Sequence, residues 1–434
     1  MAERDPRSHG LWAASAPPAP EASPLQGHAT VDVAIVGAGY TGLAAALHLA
    51  EGGASALVLE AHDIGFGGSG RNVGLVNAGM WVMPAALPER LGPVHGPRLL
   101  ERLGDGPSVV FDLIERHGIA CEAVRQGTLH CAVGASGFRG LGERARQWQA
   151  LGAPVDLLDA AAAAQLTGTT AYRGALLDRR AGTLQPLAYA RGLARAAQAA
   201  GAALHTQSPV AAVRDEGTHW RLTTAQGGTV DARWVLVATN AYSAAGGPWP
   251  GLDEELVRFP YFNLATRPLS ERERATILPQ RQGAWDTAMV LSSFRLDAAG
   301  RLVFGSVGAL RGAGRAIHRD WGRRALARLF PSLRAIDFDH EWYGHIGMTR
   351  DALPRLHRLA RNTWSFSGYN GRGIAPGTVF GREFARLVLG QWGEADMALP
   401  VTPVQAVPLR AAREAGYEWG ARAVHLLHGP WRGR

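Results

Sequence analysis

The stretch from Val31 to Asn72 constrains this chain more than any other. A short run rich in apolar residues, Val31 to Val36, leads into Gly37-Ala38-Gly39-Tyr40-Thr41-Gly42, a G-x-G-x-x-G pattern. Leu43, Ala46, Leu47 and Ala50 then recur at helical spacing up to Gly52-Gly53, and a second apolar run, Ala56 to Leu59, ends on Glu60. Strand, glycine turn, helix, strand and acid is the order of a dinucleotide-binding βαβ unit. Each glycine has a physical task. Gly37 permits the tight turn, Gly39 lets the backbone approach a pyrophosphate, and Gly42 lets the helix pack closely on the strand. Tyr40 and Thr41 open the helix, whose free N–H groups and positive dipole end suit phosphate. Glu60 lies 18 positions past Gly42, near the spacing of an acid that hydrogen-bonds a ribose hydroxyl. A carboxylate there with no Arg just after it disfavours a phosphorylated ribose and leaves NAD or FAD.

The residues after Glu60 favour the flavin dinucleotide. Gly65-Phe66-Gly67-Gly68-Ser69-Gly70-Arg71-Asn72 is a second glycine cluster that NAD does not need. A flavin dinucleotide is longer, and backbone N–H groups of Gly67, Gly68 and Gly70, with the Ser69 hydroxyl, suit its phosphates. Arg71 and Asn72 are then expected beside the flavin ring.

The run from Glu60 through Asn72 resembles the FAD loop of the D-amino-acid oxidase superfamily. It is most similar to the bacterial branch of gamma-glutamylputrescine oxidase and the deaminating glycine/D-amino-acid oxidases. The resemblance extends from Leu11-Trp12 almost to the Pro-rich end. Trp342-Tyr343-Gly344 with Thr349-Arg350-Asp351-Ala352-Leu353-Pro354 matches a family signature that returns the chain to the FAD domain. The resemblance implies an α/β fold with an α+β substrate part: a Rossmann-like FAD-binding domain and a discontinuous antiparallel-sheet substrate domain. The expected division is an N-terminal arm at 1–29, an FAD-binding domain at 30–85, 168–245 and 341–398, a substrate domain at 86–167 and 246–340, and a C-terminal tail and helix at 399–434. It further implies that Val210 touches the adenine, that Thr239 and Asn240 meet the dinucleotide at a strand end, and that Gly368, Asn370, Gly371, Arg372, Gly373 and Ile374 form a second glycine turn. That turn opens a helix whose N-terminus suits the flavin edge that becomes negative on reduction.

The implied chemistry is oxidation of a C–N bond in an amine or amino acid. Hydride passes to flavin N5, and the imine formed is hydrolysed by water. Arg71, Asn72 and His345 are the expected catalytic positions; His345 would accept a proton or bind the amine. Arg267, Arg295 and Arg350 are candidates for binding a substrate carboxylate. Relatives similar to sarcosine oxidase link FAD through a Cys near the C-terminal flavin region, whereas Cys121 and Cys131 lie far upstream, so FAD is expected to be held non-covalently. Those relatives also use a Lys in oxygen activation. This chain has no Lys, so a dehydrogenase passing electrons to an acceptor other than oxygen stands beside an oxidase. A non-catalytic flavin-binding protein and an NAD-dependent dehydrogenase are the rival classes.

Composition excludes several alternatives. The 434 residues suffice for two domains. The net charge of +8 comes from arginines that are scattered without interleaved aromatic residues, so no nucleic-acid partner is expected. The absence of Lys removes any Schiff-base lysine. The two cysteines match neither a disulfide framework nor a zinc spacing, and no metal site is expected. No signal pattern and no run long enough to span a membrane are apparent, which fits a cytoplasmic protein.

Overall fold

The computed structural model describes residues 8–427. The first seven residues of the expected arm and the last seven of the expected tail lie outside the described residues. Two large sheets, each eight-stranded among the described residues, organise the molecule. The first begins with His28–Val36, whose second half is buried on both faces, as a central parallel strand requires. It pairs in parallel with Thr229–Val237 on one side and Ala56–Leu59 on the other. Ala203–His205 extends the sheet beyond Ala56–Leu59, and Thr363–Ser367 extends it beyond Thr229–Val237, both in parallel. Helices Tyr40–Glu51, Pro186–Ala199 and Ile374–Val388 cover one face. The antiparallel strands Val210–Asp215 and Trp220–Thr224 fold over the other, where Leu222 and Val230 meet Ala34, Val36, Leu57 and Leu59.

The second sheet runs Phe338–Met348, Val257–Pro268, Arg301–Val307, Ser292–Leu296, Gly283–Asp286, Thr128–Cys131, Ala175–Asp178, Val155–Leu158. All its pairings are antiparallel except Gly283–Asp286 with Thr128–Cys131, where two separate pieces of chain join. Helix Ala313–Leu329 packs its Trp321, Ala325 and Leu326 against Phe262, Leu264, Phe294 and Phe304.

The expected division at 168 and 341 does not follow these sheets. Ala175–Asp178 pairs with Thr128–Cys131, and Phe338–Met348 pairs with Val257–Pro268, so both strands belong to the second sheet. The reason is burial on both faces: Ala175 and Leu177 enter the core under Phe294, while Leu176 enters a separate cluster around Trp148. Leu11–Ser15 is a short helix, and Leu11 and Trp12 are fully buried. No helix among the described residues is long and apolar enough to cross a membrane.

Candidate active site

A cavity of about 790 Å³ lies between the two sheets. Its lining joins the first glycine turn (Gly37, Gly39, Tyr40, Thr41), Glu60, the loop Gly67, Gly68, Ser69, Arg71 and Asn72, and Val210. Thr239, Asn240, His345, Asn370, Gly371, Arg372, Gly373 and Ile374 complete the set. Segments that are more than 300 positions apart in sequence thus face one space. Of the residues proposed from sequence, Gly42, Gly70 and Gly368 do not line it. They act behind the wall. A Cβ on Gly42 would stand 2.0 Å from the Gly37 carbonyl oxygen, and one on Gly70 would stand 2.3 Å from the Gly65 carbonyl oxygen. Gly368 takes φ +74° and donates its N–H to Asn240 Oδ1 at 2.9 Å.

The first turn has the shape the sequence demands. Gly37 takes φ +108°, and helix Tyr40–Glu51 starts directly after Gly39. Glu60 accepts the amide hydrogens of Ala38 at 2.8 Å and His62 at 2.9 Å. Burial raises its carboxyl pKa, and those amides act in the opposite sense. The carboxylate still faces the cavity, where its remaining lone pairs can take a ribose hydroxyl. Ser69 Oγ accepts from Tyr40 N at 3.2 Å, so the two glycine loops touch.

Arg71 and Asn72 do not have the free functional groups expected of catalytic residues. The Arg71 guanidinium donates to the carbonyls of Phe66 at 2.8 Å, Ser8 at 2.9 Å and Tyr343 at 3.2 Å. Asn72 donates to Tyr40 Oη, Gly68 O and Ser69 O, and its Oδ1 accepts from Gly74 N. Both side chains fix the loop. Asn370 is likewise a turn-former: its Oδ1 accepts from Thr349 N at 2.8 Å, which ties the second glycine turn to the Thr349–Pro354 signature.

His345 differs. Among the described residues none hydrogen-bonds its ring, which stands edge-on to Tyr242 and Tyr343. Burial, then the charges of Arg258 and Arg311, lower its pKa to about 4, so the imidazole is the free base at neutral pH. Tyr242 Oη accepts from His345 N at 2.9 Å and holds the strand in place. Arg372 is buried beside the rings of Trp81 and Trp285, with its guanidinium carbon 4.8 and 4.9 Å from their centres. Its Nη1 donates to Ala78 O at 3.0 Å, and no described acid pairs with it. Burial and the neighbouring Arg144 lower its pKa to about 9. Trp285 Nε1 and Arg372 Nε both lack hydrogen-bond partners among the described residues.

Sequence reasoning missed the aromatic wall of Trp81, Tyr261 and Trp285. Tyr261 lies on strand Val257–Pro268, and its Oη contacts Ser293 Oγ at 2.7 Å. Arg267, Arg295 and Arg350 do not line the cavity. Arg267 pairs with Glu273 at the surface, and Arg295 is buried against Leu184 O and Glu122.

The geometry matches a larger group of proteins. Residues 32–387 match the family model described as FAD dependent oxidoreductase, and the chain belongs to that family. FAD is therefore its cofactor, and the chain is an FAD-dependent oxidoreductase. The chain is 34% identical over 367 residues to gamma-glutamylputrescine oxidoreductase of Escherichia coli K12, covering 83% of this chain and 84% of that protein. Its fold is similar to that of glycine oxidase from Geobacillus kaustophilus, with TM-score 0.70, 22% identity, 88% of this chain and 99% of that one. L-proline dehydrogenase from P. horikoshii gives TM-score 0.68 at 16% identity, covering 85% of this chain and 95% of that one.

Proposed function

We propose that the cavity holds FAD non-covalently and that the chain oxidises the C–N bond of an amine or amino acid. Glu60 and Val210 mark the ribose and adenine end, and Gly371 to Ile374 mark the flavin end. The fit rests on the cavity itself: the two glycine turns, Glu60 and the aromatic residues Trp81, Tyr261 and Trp285 line one space. Neither cysteine lines it, which supports a non-covalent cofactor. The relative acting on gamma-glutamylputrescine and the neighbours named for glycine and proline support an amine substrate.

When bound, the flavin supplies the two-electron acceptor for the C–H bond next to the nitrogen. The resulting imine takes up water and releases a carbonyl product and an amine or ammonia. The protein must deliver a neutral amine, because an ammonium nitrogen has no lone pair to support loss of hydride. His345 is the free base above about pH 4 and is the one residue we assign to receive that proton. The aromatic wall of Trp81, Tyr261 and Trp285 excludes water and limits the orientations a substrate can take. Arg71 and Asn72 shape the loop and take no direct part.

The single observation that carries this reading is a neutral, unengaged His345 in the same cavity as the paired glycine turns and Glu60. An anaerobic screen of primary and secondary amines, read as bleaching of the flavin absorbance, tests it. At least one amine class is expected to bleach the flavin. Full absorbance with every amine, in a protein that carries FAD, would leave flavin binding without amine chemistry. The lack of Lys favours an acceptor other than oxygen, and slow recolouring in air with fast recolouring by an artificial acceptor is the expected pattern.

A further inference from the structure

Residues 8–27 belong to neither large sheet, yet they are tied to the loop Gly65–Asn72, to helix Pro186–Ala199 and to Ser208. Trp12 is fully buried and stands edge-on to Trp342, with ring centres 5.3 Å apart. Its indole N–H donates to Asn72 O at 2.9 Å. Upstream, Ser8 O accepts from Arg71 Nη1 at 2.9 Å, and His9 Nε2 lies 3.2 Å from Gly65 O. These three bonds land on both ends of the loop Gly65–Asn72. Downstream, the carbonyls of Pro17, Pro18 and Glu21 accept from Arg191, Arg195 and Gln198 on helix Pro186–Ala199. Leu25 N donates to Ser208 Oγ at 2.9 Å, beside Pro209 and Val210 at the opposite end of the cavity.

The loop needs such anchors. Four of its eight residues are glycine, the residue that loses most backbone freedom on ordering. Its own helical turn, Gly68–Arg71, is too short to be stable alone. Tryptophan is an effective clamp, because a large rigid ring is fixed at small entropic cost and its N–H still finds a partner. Gly10 makes the close approach possible: it takes φ +54°, and a Cβ there would stand 2.4 Å from the Trp342 ring.

We propose that residues 8–12 form a strap that belongs to the cofactor site, that residues 17–25 only tether it to the body through several separate bonds, and that Trp12 is its positioning residue. Trp12 does not line the cavity; it acts by holding Asn72 and the loop in the shape that grips FAD. The proposal rests on the reading that this cavity is the FAD site.

The test is the FAD dissociation constant of apoprotein from wild type, Trp12→Phe and Arg191→Gln, measured by flavin fluorescence, with the melting temperature of each apoprotein alongside. Trp12→Phe keeps a ring in the slot and removes the donor to the loop. Arg191→Gln removes a strap bond to the helix and touches nothing in the loop. Trp12→Phe is expected to raise the dissociation constant at least tenfold, mainly through faster release, while Arg191→Gln stays within twofold at a similar melting temperature. If Trp12→Phe fails to fold, His9→Ala reports on the same loop and is expected to weaken FAD severalfold. Wild-type affinity in the loop-anchor variant, or equal weakening in Arg191→Gln, overturns the proposal. Wild-type protein that binds no FAD overturns the cofactor reading beneath it.

Discussion

Adding one methyl group at Gly42 tests how the first glycine turn is built. In Gly42→Ala the new Cβ would stand 2.0 Å from the Gly37 carbonyl oxygen and 3.1 Å from Ile35 Cγ2. Contacts below about 3 Å are not sustained, so helix Tyr40–Glu51 would have to move about 1 Å from the strand. The obstructing atom is backbone in a turn fixed by Gly37 N donating to Leu59 O at 2.8 Å, and it cannot swing aside. Overpacking of this kind costs about 1–3 kcal/mol, and a backbone clash belongs at the upper end. Gly140→Ala is the matched control. Gly140 lies in helix Gly134–Ala150, and a Cβ there meets nothing within 4 Å. It should stabilise the protein by about 0.5–1 kcal/mol, the ordinary helix preference for Ala. Urea denaturation of the holoprotein with flavin release followed in parallel reads both. Gly42→Ala should unfold at markedly lower urea and lose FAD, and Gly140→Ala should unfold at slightly higher urea. A Gly42→Ala protein with wild-type midpoint and FAD content would refute the close-packing argument.

Three further outcomes are expected. Asn in place of His345 should lower the rate of flavin bleaching by amine about 10²-fold, the lower end for a lost general base, with FAD affinity within twofold; an unchanged bleaching rate would remove His345 from the chemistry. Glu60→Ala leaves the amides of Ala38 and His62 without their acceptor, and should raise the FAD dissociation constant about tenfold to a hundredfold, as fluorescence titration would show. Burial lowers the pKa values of His9, His318 and His345 to about 4 and that of His425 to about 3, against 6.5 in the unfolded chain. The unfolded state therefore binds more protons below pH 6.5, so stability is complete above that value and falls as the pH drops toward 4; urea midpoints that stay flat between pH 7 and 5 would contradict this.

The first βαβ unit was legible because its signals are local. Val33 to Val36, the glycines and Glu60 lie within one short stretch, and each residue type has one physical task there. Helix Ile374–Val388, opened by the second glycine turn, was legible for the same reason. Strand Ala175–Asp178 was not, because its place is fixed by Thr128–Cys131 and Val155–Leu158, which only the folded chain brings beside it. Arg71 shows the corresponding limit at the site. Its position beside the cavity was readable from the loop, but its guanidinium is turned onto Ser8, Phe66 and Tyr343 carbonyls, and two of those three are remote in sequence. The seat of the Arg372 guanidinium beside Trp81 and Trp285 depends on three separate segments and left no local pattern.

The central claim is that the space between the two sheets holds FAD without a covalent bond. The visible absorption spectrum of the purified, desalted protein tests it, repeated on the supernatant after denaturation. Flavin bands that pass entirely into the supernatant are the predicted result. A protein that carries no flavin and cannot be reconstituted with FAD, or a flavin that stays with the precipitated chain, would contradict it.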